Sequence, residues 1–461
     1  MGFDDADAGP GCQPGAGTSP GTLGAVPDAQ GPPTGLREEQ GGPLAIPGLQ
    51  TFARSGIPLP ELSSLKKTSW VASTYYAEGL PFSLVQQVSV QFFTAAGASL
   101  PTIGLLSLLG LPWNLKFFWS PLIDLFGHKK RWLVFLEGLL GIAALLLVWP
   151  AQTLDLGLAF RMFALMAVLS ATHDMSVDGY YIQTLTAAQQ AGYSGLRVAA
   201  YRVAMLVGNG ALVILAGWVS WEACFVSAAV MLWGLAFWHR KILPQPIPGS
   251  TPRGQRWRMV RDAISTYWGQ NHIFWALAFV LLFRAGDALM FAMVTPFLNH
   301  LGYGLVARGI LMGSVGTLTG IGGSILGGIF ISRWGLRRSL FPLTFIQSVA
   351  ILAYAWLSWS GPGLFWVGTV VAFEQAAAGL GTAVLMVFLM QRCRPGFEAT
   401  HFAIGSALMS LASTVAGSYS GFLVRDLGFT LFFLLAFLVA IPGILLAFFM
   451  PAGLFHETDT P

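Results

Sequence analysis

From Ser69 onward the chain is a nearly continuous series of apolar runs, and this limits it more than any motif does. An α-helix needs about 20 apolar residues to cross the hydrocarbon core of a bilayer. Runs of that size fall near 69–93, 101–123, 131–150, 156–184, 195–218, 221–239, 271–298, 305–331, 338–359, 362–391, 399–423 and 429–451. In lipid every backbone polar group must be satisfied within the protein, so such runs are helices. Charged residues make up 10% of the chain, against about 25% in ordinary soluble proteins. A soluble enzyme, a nucleic-acid-binding domain and a disordered chain are thereby excluded. The net charge of +4 sits on lysines and arginines scattered over short loops, where it reads as a topology signal. Aromatics at 13%, with 16 Trp, suit rings at the two membrane interfaces. Cys12, Cys224 and Cys393 are too few and too far apart for a disulfide framework or a metal site.

The expected fold class is an all-α polytopic membrane protein with twelve transmembrane helices in two six-helix halves. Residues 1–65 are expected to be a disordered cytoplasmic tail. The first 60 residues hold 13 Gly and 10 Pro, with neither the basic nor the apolar region of a secretory signal. The six-helix units are assigned to 66–239 and 271–453, joined by a basic cytoplasmic linker at 240–270 and followed by a short tail at 454–461. With both termini cytoplasmic, the cytoplasmic loops hold 16 Lys and Arg and the opposite side three (Arg161, Arg308 and Arg425). The halves also repeat. "PLIDLFGHKKR" (Pro121 to Arg131) follows the second run and "GIFISRWGLRR" (Gly328 to Arg338) the eighth. Gly127 and Gly335 are 208 residues apart, as are Lys129 and Arg337, and Lys130 and Arg338. A turn of this kind at matching points of two halves marks a parallel internal repeat.

Ionisable residues inside the membrane cost about 2.5–3.5 kcal/mol each on insertion scales, so they are functional candidates. They are Glu78, Lys116, Glu137, Asp174, Asp178, Arg202, Arg284, Asp287 and Glu374. Six of these nine fall on the first, fourth, seventh and tenth helices, the equivalent helices of a repeat, which points to one central cavity. Asp174 and Asp178, four apart, share a helix face. They read either as a proton-coupling or substrate-amine site or as structural partners of Arg197 or Arg202. His173 lies about 100° around the same helix. Arg284 and Asp287, three apart, can neutralise one another. Glu78 precedes Gly79 and Pro81, where a helix can bend and free carbonyls toward a cavity. Lys116 is a partner for Glu78 or for an anionic substrate group. Glu137 is expected to snorkel to the interface. The glycines at 313, 316, 320, 323, 327 and 328 read either as sliding contacts between halves or as static packing, as do Gly405, Ser406, Ser410, Ser413 and Gly417. The chain carries no phosphate-binding loop, zinc motif or ion-filter signature.

Twelve spans, a repeat of six and the loop Asp124, Gly127, Lys129, Lys130, Arg131, with its second copy Gly335, Arg337, Arg338, resemble the major facilitator superfamily. The resemblance implies that these residues latch a cytoplasmic gate, with Ser332 replacing the acid in the second copy. "IGLLSLLGLPWNLKFFWSPLID" (Ile103 to Asp124), "SATHDMSVDGYYIQTL" (Ser170 to Leu185) and "YRVAMLVGNGALVILAG" (Tyr201 to Gly217) are similar to AmpG-type muropeptide permeases. That branch also includes acetyl-CoA transporters and some siderophore permeases. The resemblance implies proton-driven import of anhydro-muropeptides across the bacterial inner membrane for peptidoglycan recycling. It places Lys116, Asp174, Asp178 and Arg202 at motif positions. The chain departs from the pattern at His173, where the branch has Gln, and at Gly179-Tyr180-Tyr181, where it has an aromatic and a basic residue.

The expectation is therefore a secondary active transporter, not an enzyme, with no cofactor and no metal. Its partners are a small-molecule substrate, protons and the lipid bilayer, without nucleic acid, and it is expected to act as a monomer. Asp174 and Asp178 are assigned to the proton. Glu78, Lys116, His173, Arg202, Arg284, Asp287 and Glu374 are assigned to the substrate, with Tyr75, Tyr76, Trp113 and Tyr180 as stacking surfaces for sugar rings. Alternatives are a siderophore or acyl-CoA-like permease, a muropeptide-sensing receptor signalling through the tail, and an intramembrane transferase.

Overall fold

The computed structural model describes residues 62–119, 128–245, 261–262, 264–361, 363–394 and 397–455. Nearly all of the N-terminal tail, Asp124 and Gly127 of the gate motif, the centre of the basic linker and the last six residues lie outside the described residues. Among the described residues the structure is helical and contains no strand. Eight helices are long and apolar enough to cross a membrane. Two of these are pairs joined through a glycine turn, at Gly335 (φ 76°) and Gly428 (φ 74°). Positive φ is strained for residues with a side chain, so glycine is what lets the chain reverse there.

The helices are α1 (62–95), α2 (100–118), α3 (Lys129–Thr153), α4 (Leu156–Thr184), α5 (187–218), α6 (Trp221–Ile242), α7 (Ile273–His300), α8 (305–334), α9 (336–360), α10 (Leu364–Gln391), α11 (398–427) and α12 (429–448). Ten of the twelve apolar runs fall on the eight membrane-crossing spans, two on each of the paired helices, while the first two fall on α1 and α2, and residues 120–123 of the second run lie outside the described residues. Side-chain caps start several: Asp155 accepts from Leu158 N at 2.9 Å, and Ser220 accepts from Ala223 N at 3.2 Å. Thr186 and Gln189 form a reciprocal capping box.

The helices are less regular than periodicity suggests. α2 is not one continuous helix. Tighter 3₁₀ turns at Leu106–Gly110 and Lys116–Phe118 flank a single α turn that carries Pro112, whose missing N–H and ring remove a ladder bond. Wider π turns interrupt α1 at Leu84–Val88, α5 at Leu206–Leu212 and α8 at Gly309–Val315. Such turns concentrate at functional sites, and these three helices all line the cavity described below. In α7 the helix breaks at Arg284 (φ −104°, ψ 4°).

Two aromatic clusters stand within a largely aliphatic core. Phe92, Phe93, Phe163 and Phe225 pack in one cluster with Trp221 against it, and Phe297, Tyr354 and Phe433 in another with Phe429. Trp221 stacks on Phe225 at 5.8 Å, and Phe429 stacks on Phe433 at 6.2 Å. Both members of the second pair lie 208 residues after those of the first, the offset already seen in the loops. Trp149, Trp218, Trp359 and Trp366 stand exposed at helix ends, as interfacial tryptophans do.

The first six helices meet the second six closely through α2 on α11 and α5 on α8. Gly104 lies against Gly421 and Ser418, and Asn114 donates to Thr414 at 3.1 Å. Gly313 lies against Gly210, Gly309 against Ile214, and Gly217 against Leu305 and Val306. Most of these approaches cluster toward the end that carries the α1–α2, α5–α6 and α7–α8 turns, so that end is closed by small residues packed backbone to backbone.

Candidate functional site

The intramembrane charges form three centres. In the first, Lys116 of α2 pairs with Asp174 of α4. Arg197 of α5 donates to Asp178 of α4 at 2.9 Å, and the Tyr75 hydroxyl of α1 donates to the same carboxylate oxygen at 2.8 Å. The Arg197 guanidinium also lies over the Tyr75 and Tyr181 rings, at 4.3 Å and 4.7 Å. Glu78 of α1 approaches Asp174, is buried, and has an Oε2 with no hydrogen-bond partner. The centre thus holds three carboxylates and two cations, each cation engaged by an aspartate.

The second centre lies in the core of the first six helices. Glu137 of α3 accepts from His239 Nδ1 of α6 at 2.6 Å, and His173 Nε2 of α4 lies 3.4 Å from the same oxygen. His239 Nε2 faces the Ser73 hydroxyl of α1 at 2.9 Å. All three ionisable side chains are fully buried. Glu137 therefore does not snorkel to an interface. Four helices meet around it, and a hydrogen-bonded imidazole compensates its burial. His173, expected at the substrate, turns toward Glu137.

The third centre surrounds a cavity of about 440 Å³ between the two groups of helices. Arg202 of α5 and Arg284 and Asp287 of α7 line it, with Gln86, Gln87, Trp113, Asn209, Gln375, Ser410, Ser413 and Thr414. Arg284 donates to Asp287 at 3.0 Å, one helical turn away. Glu374 of α10 is buried beside the cavity, where its Oε2 accepts from Gln375 at 2.9 Å and from the Tyr354 hydroxyl at 3.4 Å. Among the described residues, no α4 side chain lines this cavity. A larger groove of about 970 Å³ between α8 and α10 is almost wholly apolar, lined by Leu305, Val306, Ile310 and Phe365 among others, and holds none of these charges.

The expected substrate set is thus divided: Arg202, Arg284 and Asp287 line the cavity, Glu374 adjoins it, Glu78 and Lys116 sit with Asp174 and Asp178, and His173 stands apart. Of the expected stacking surfaces, Trp113 lines the cavity, edge-on to Phe82 at 5.2 Å. Tyr180 is fully buried and donates to the Pro244 carbonyl at 2.7 Å, so it is a strut between α4 and the end of α6. Tyr75 is likewise occupied with Asp178. Lys130 reaches the Leu243 carbonyl, and the Lys129 side chain runs over Gly179, where a Cβ would crowd it. Arg131, Arg337 and Arg338 are exposed. The neutral polar residues Gln86, Gln87, Asn209 and Gln375 did not stand out in the sequence. Their signal is an amide inside an apolar run, and it is fainter than a charge.

A model of the Major Facilitator Superfamily matches residues 71–400. The anhydromuropeptide permease of Escherichia coli K12 is 29% identical over 382 residues, covering 80% of this chain and 77% of that protein. An uncharacterized protein of Haemophilus influenzae is 26% identical, covering 82% of this chain and 93% of that one. A putative transporter AmpG 4 of Rickettsia conorii is 25% identical, covering 81% and 93%. Among solved structures, a D-xylose–proton symporter superposes with a TM-score of 0.67 at 12% identity, over 86% of this chain and 98% of that one. The nucleoside transporter NupG superposes with a TM-score of 0.59 at 16% identity, over 83% and 97%. At such identities these structures speak for the fold.

Proposed function

The chain belongs to the Major Facilitator Superfamily, and from that membership we propose that it is a proton symporter importing anhydro-muropeptides across the bacterial inner membrane. It is a multi-pass membrane protein and a transporter of small molecules, not an enzyme; the substrate, the proton and the orientation are our reading. The observation that carries it is the pairing of Arg202 and Arg284 on one central cavity, with Asp287 beside them. Arg284 is close enough for the two guanidiniums to act on each other. Asp287 neutralises one, and with Glu374 kept protonated by its burial the cavity keeps a cation for an anionic group. A muropeptide brings carboxylates to that cation, hydroxyls and amides to the polar amides around it, and sugar faces to Trp113. A volume of about 440 Å³ falls within the ordinary range of small-molecule sites.

The coupling site in this reading is the centre next to the cavity. The spacing of Asp174 and Asp178 points to them for the proton, but each is held by its own cation. Glu78 is the third carboxylate, buried with an orphan oxygen, and one proton on it balances the cluster. A protonated Glu78 donates its hydroxyl to Asp174, which ties α1 to α4 and competes with Lys116 for the same carboxylate. The two six-helix halves rock about the cavity, with both termini and the basic loops in the cytoplasm. Labelled anhydro-muropeptide uptake, in cells lacking their own permease, tests the reading. Uptake abolished by an uncoupler supports it; correctly inserted protein with no uptake excludes the substrate.

A further inference from the structure

Arg308 has no role in the sites above and is the largest fully buried side chain among the described residues, at 1% exposure. Its Nε and Nη1 make no hydrogen bond, and no described acid lies close enough to act on it. The half-buried cations on neighbouring helices differ. Lys116, Arg197 and Arg284 each hold an aspartate, and Arg202 lines the central cavity. A buried guanidinium without a counter-charge is among the most costly arrangements inside a membrane protein. A group that met it in another state of the working cycle would relieve that cost.

Its place suggests what. Arg308 ends the first turn of α8, directly before the π turn. Gly309 and Gly313, next to it and one turn on, are the residues pressed against Gly210 and Ile214 of α5. Met312, on the Arg308 face of the helix, lines the central cavity. Arg308 therefore sits in the closed end, between the α7–α8 turn and the cavity.

We propose that Arg308 is an anion-capture residue of the entry path, covered in this structure and uncovered when α5 and α8 part. In the open state it takes a carboxylate or phosphate group of the incoming solute and passes it toward Arg202 and Arg284. The inference rests on the transport reading, and it adds a residue outside the central site. It also gives the closed end a built-in bias: closing over Arg308 buries its charge without a partner, so an occupied or open mouth is favoured until the solute has moved inward.

The test uses the full chain in proteoliposomes, with Cys12, Cys224 and Cys393 replaced by serine. A thiol placed by Arg308→Cys should react with a membrane-impermeant maleimide from the side of the α7–α8 turn. Failure to react, while a control thiol from Gly304→Cys reacts, means position 308 stays covered throughout the cycle and overturns the proposal. A thiol placed by Met312→Cys then reports on the charge. Sulfonate-bearing and ammonium-bearing thiosulfonates are the probes. Arg308 should favour the anionic reagent by about fivefold, Arg308→Lys should keep that preference, and Arg308→Gln should lose it. A ratio indifferent to residue 308 contradicts anion capture. These arms need no transported solute, so they stand apart from the muropeptide assignment. With labelled anhydro-muropeptide as substrate, Arg308→Gln should raise KM more than it lowers Vmax, and an unchanged KM counts against the proposal.

Discussion

Lys116 holds its part of the bundle together by standing between α2 and α4, and its removal is informative because the acids remain. Lys116→Met leaves Asp174 buried without its cation, beside Glu78. Breaking a fully buried pair on one side costs about 3–5 kcal/mol, and less here because the Lys116 side chain is one-third exposed. Thermal unfolding in detergent should show that loss. The double variant Lys116→Met with Asp174→Asn should recover most of the stability and none of the transport; equal melting of the two variants would deny the pair its structural role. The Glu137 centre makes a second case. His239→Phe removes the imidazole that satisfies Glu137 and should lower the melting temperature by several degrees, about what 2–3 kcal/mol does in a chain of this kind. An unchanged melting curve would refute it. The acids themselves were legible, since a carboxylate inside an apolar run is conspicuous at any position. Their partners were not, because pairing depends on the register between helices far apart in the chain. His239 is the clearest example. In the sequence it stands at the edge of the basic Arg240–Lys241 loop and looks like part of it, whereas in the fold it is fully buried.

At the scale of an element, α8 answers a question that its glycines left open. Gly309 and Gly313 face α5 across the two groups of helices, while Gly316, Gly320, Gly323 and Gly327 face α10 within their own group, and Gly328 faces open space. One helix thus carries a short contact with the other group of helices followed by a long contact within its own, and in the transport reading it is the first that opens. Gly313→Ala should push α5 and α8 apart and raise the reactivity of Arg308→Cys. Gly322→Ala, where a Cβ meets nothing, should be neutral or stabilise by up to about 1 kcal/mol through helix propensity. Equal behaviour of the two variants would remove the distinction between the faces. The positions of the eight candidate spans were readable to within several residues, because apolar length is dictated by the bilayer. The breaks in α2 were foreshadowed by Pro101 and Pro112, but a single helix was the simpler expectation for that run. The π turns in α1, α5 and α8 have no comparable signature, since they arise from how each helix fits its neighbours.

For the whole molecule, the repeat at an offset of 208 residues was visible in the loops and returns in the stacked pairs Trp221–Phe225 and Phe429–Phe433. Which end is closed was not legible, because it follows from small residues meeting across helices that are distant in sequence. If the halves rock, holding α2 to α11 stops the cycle. Asn114→Cys with Thr414→Cys, bridged by a short reducible bifunctional thiosulfonate, should block transport and release it on reduction. Transport that survives the bridge would mean the halves move by another path. The central claim, that Glu78 carries the coupling proton for muropeptide movement, is met most directly by separating exchange from accumulation. In proteoliposomes, Glu78→Gln should still exchange internal for labelled external anhydro-muropeptide, yet fail to concentrate it under an imposed proton gradient, while the wild type does both. Accumulation by Glu78→Gln at the wild-type level would contradict the account.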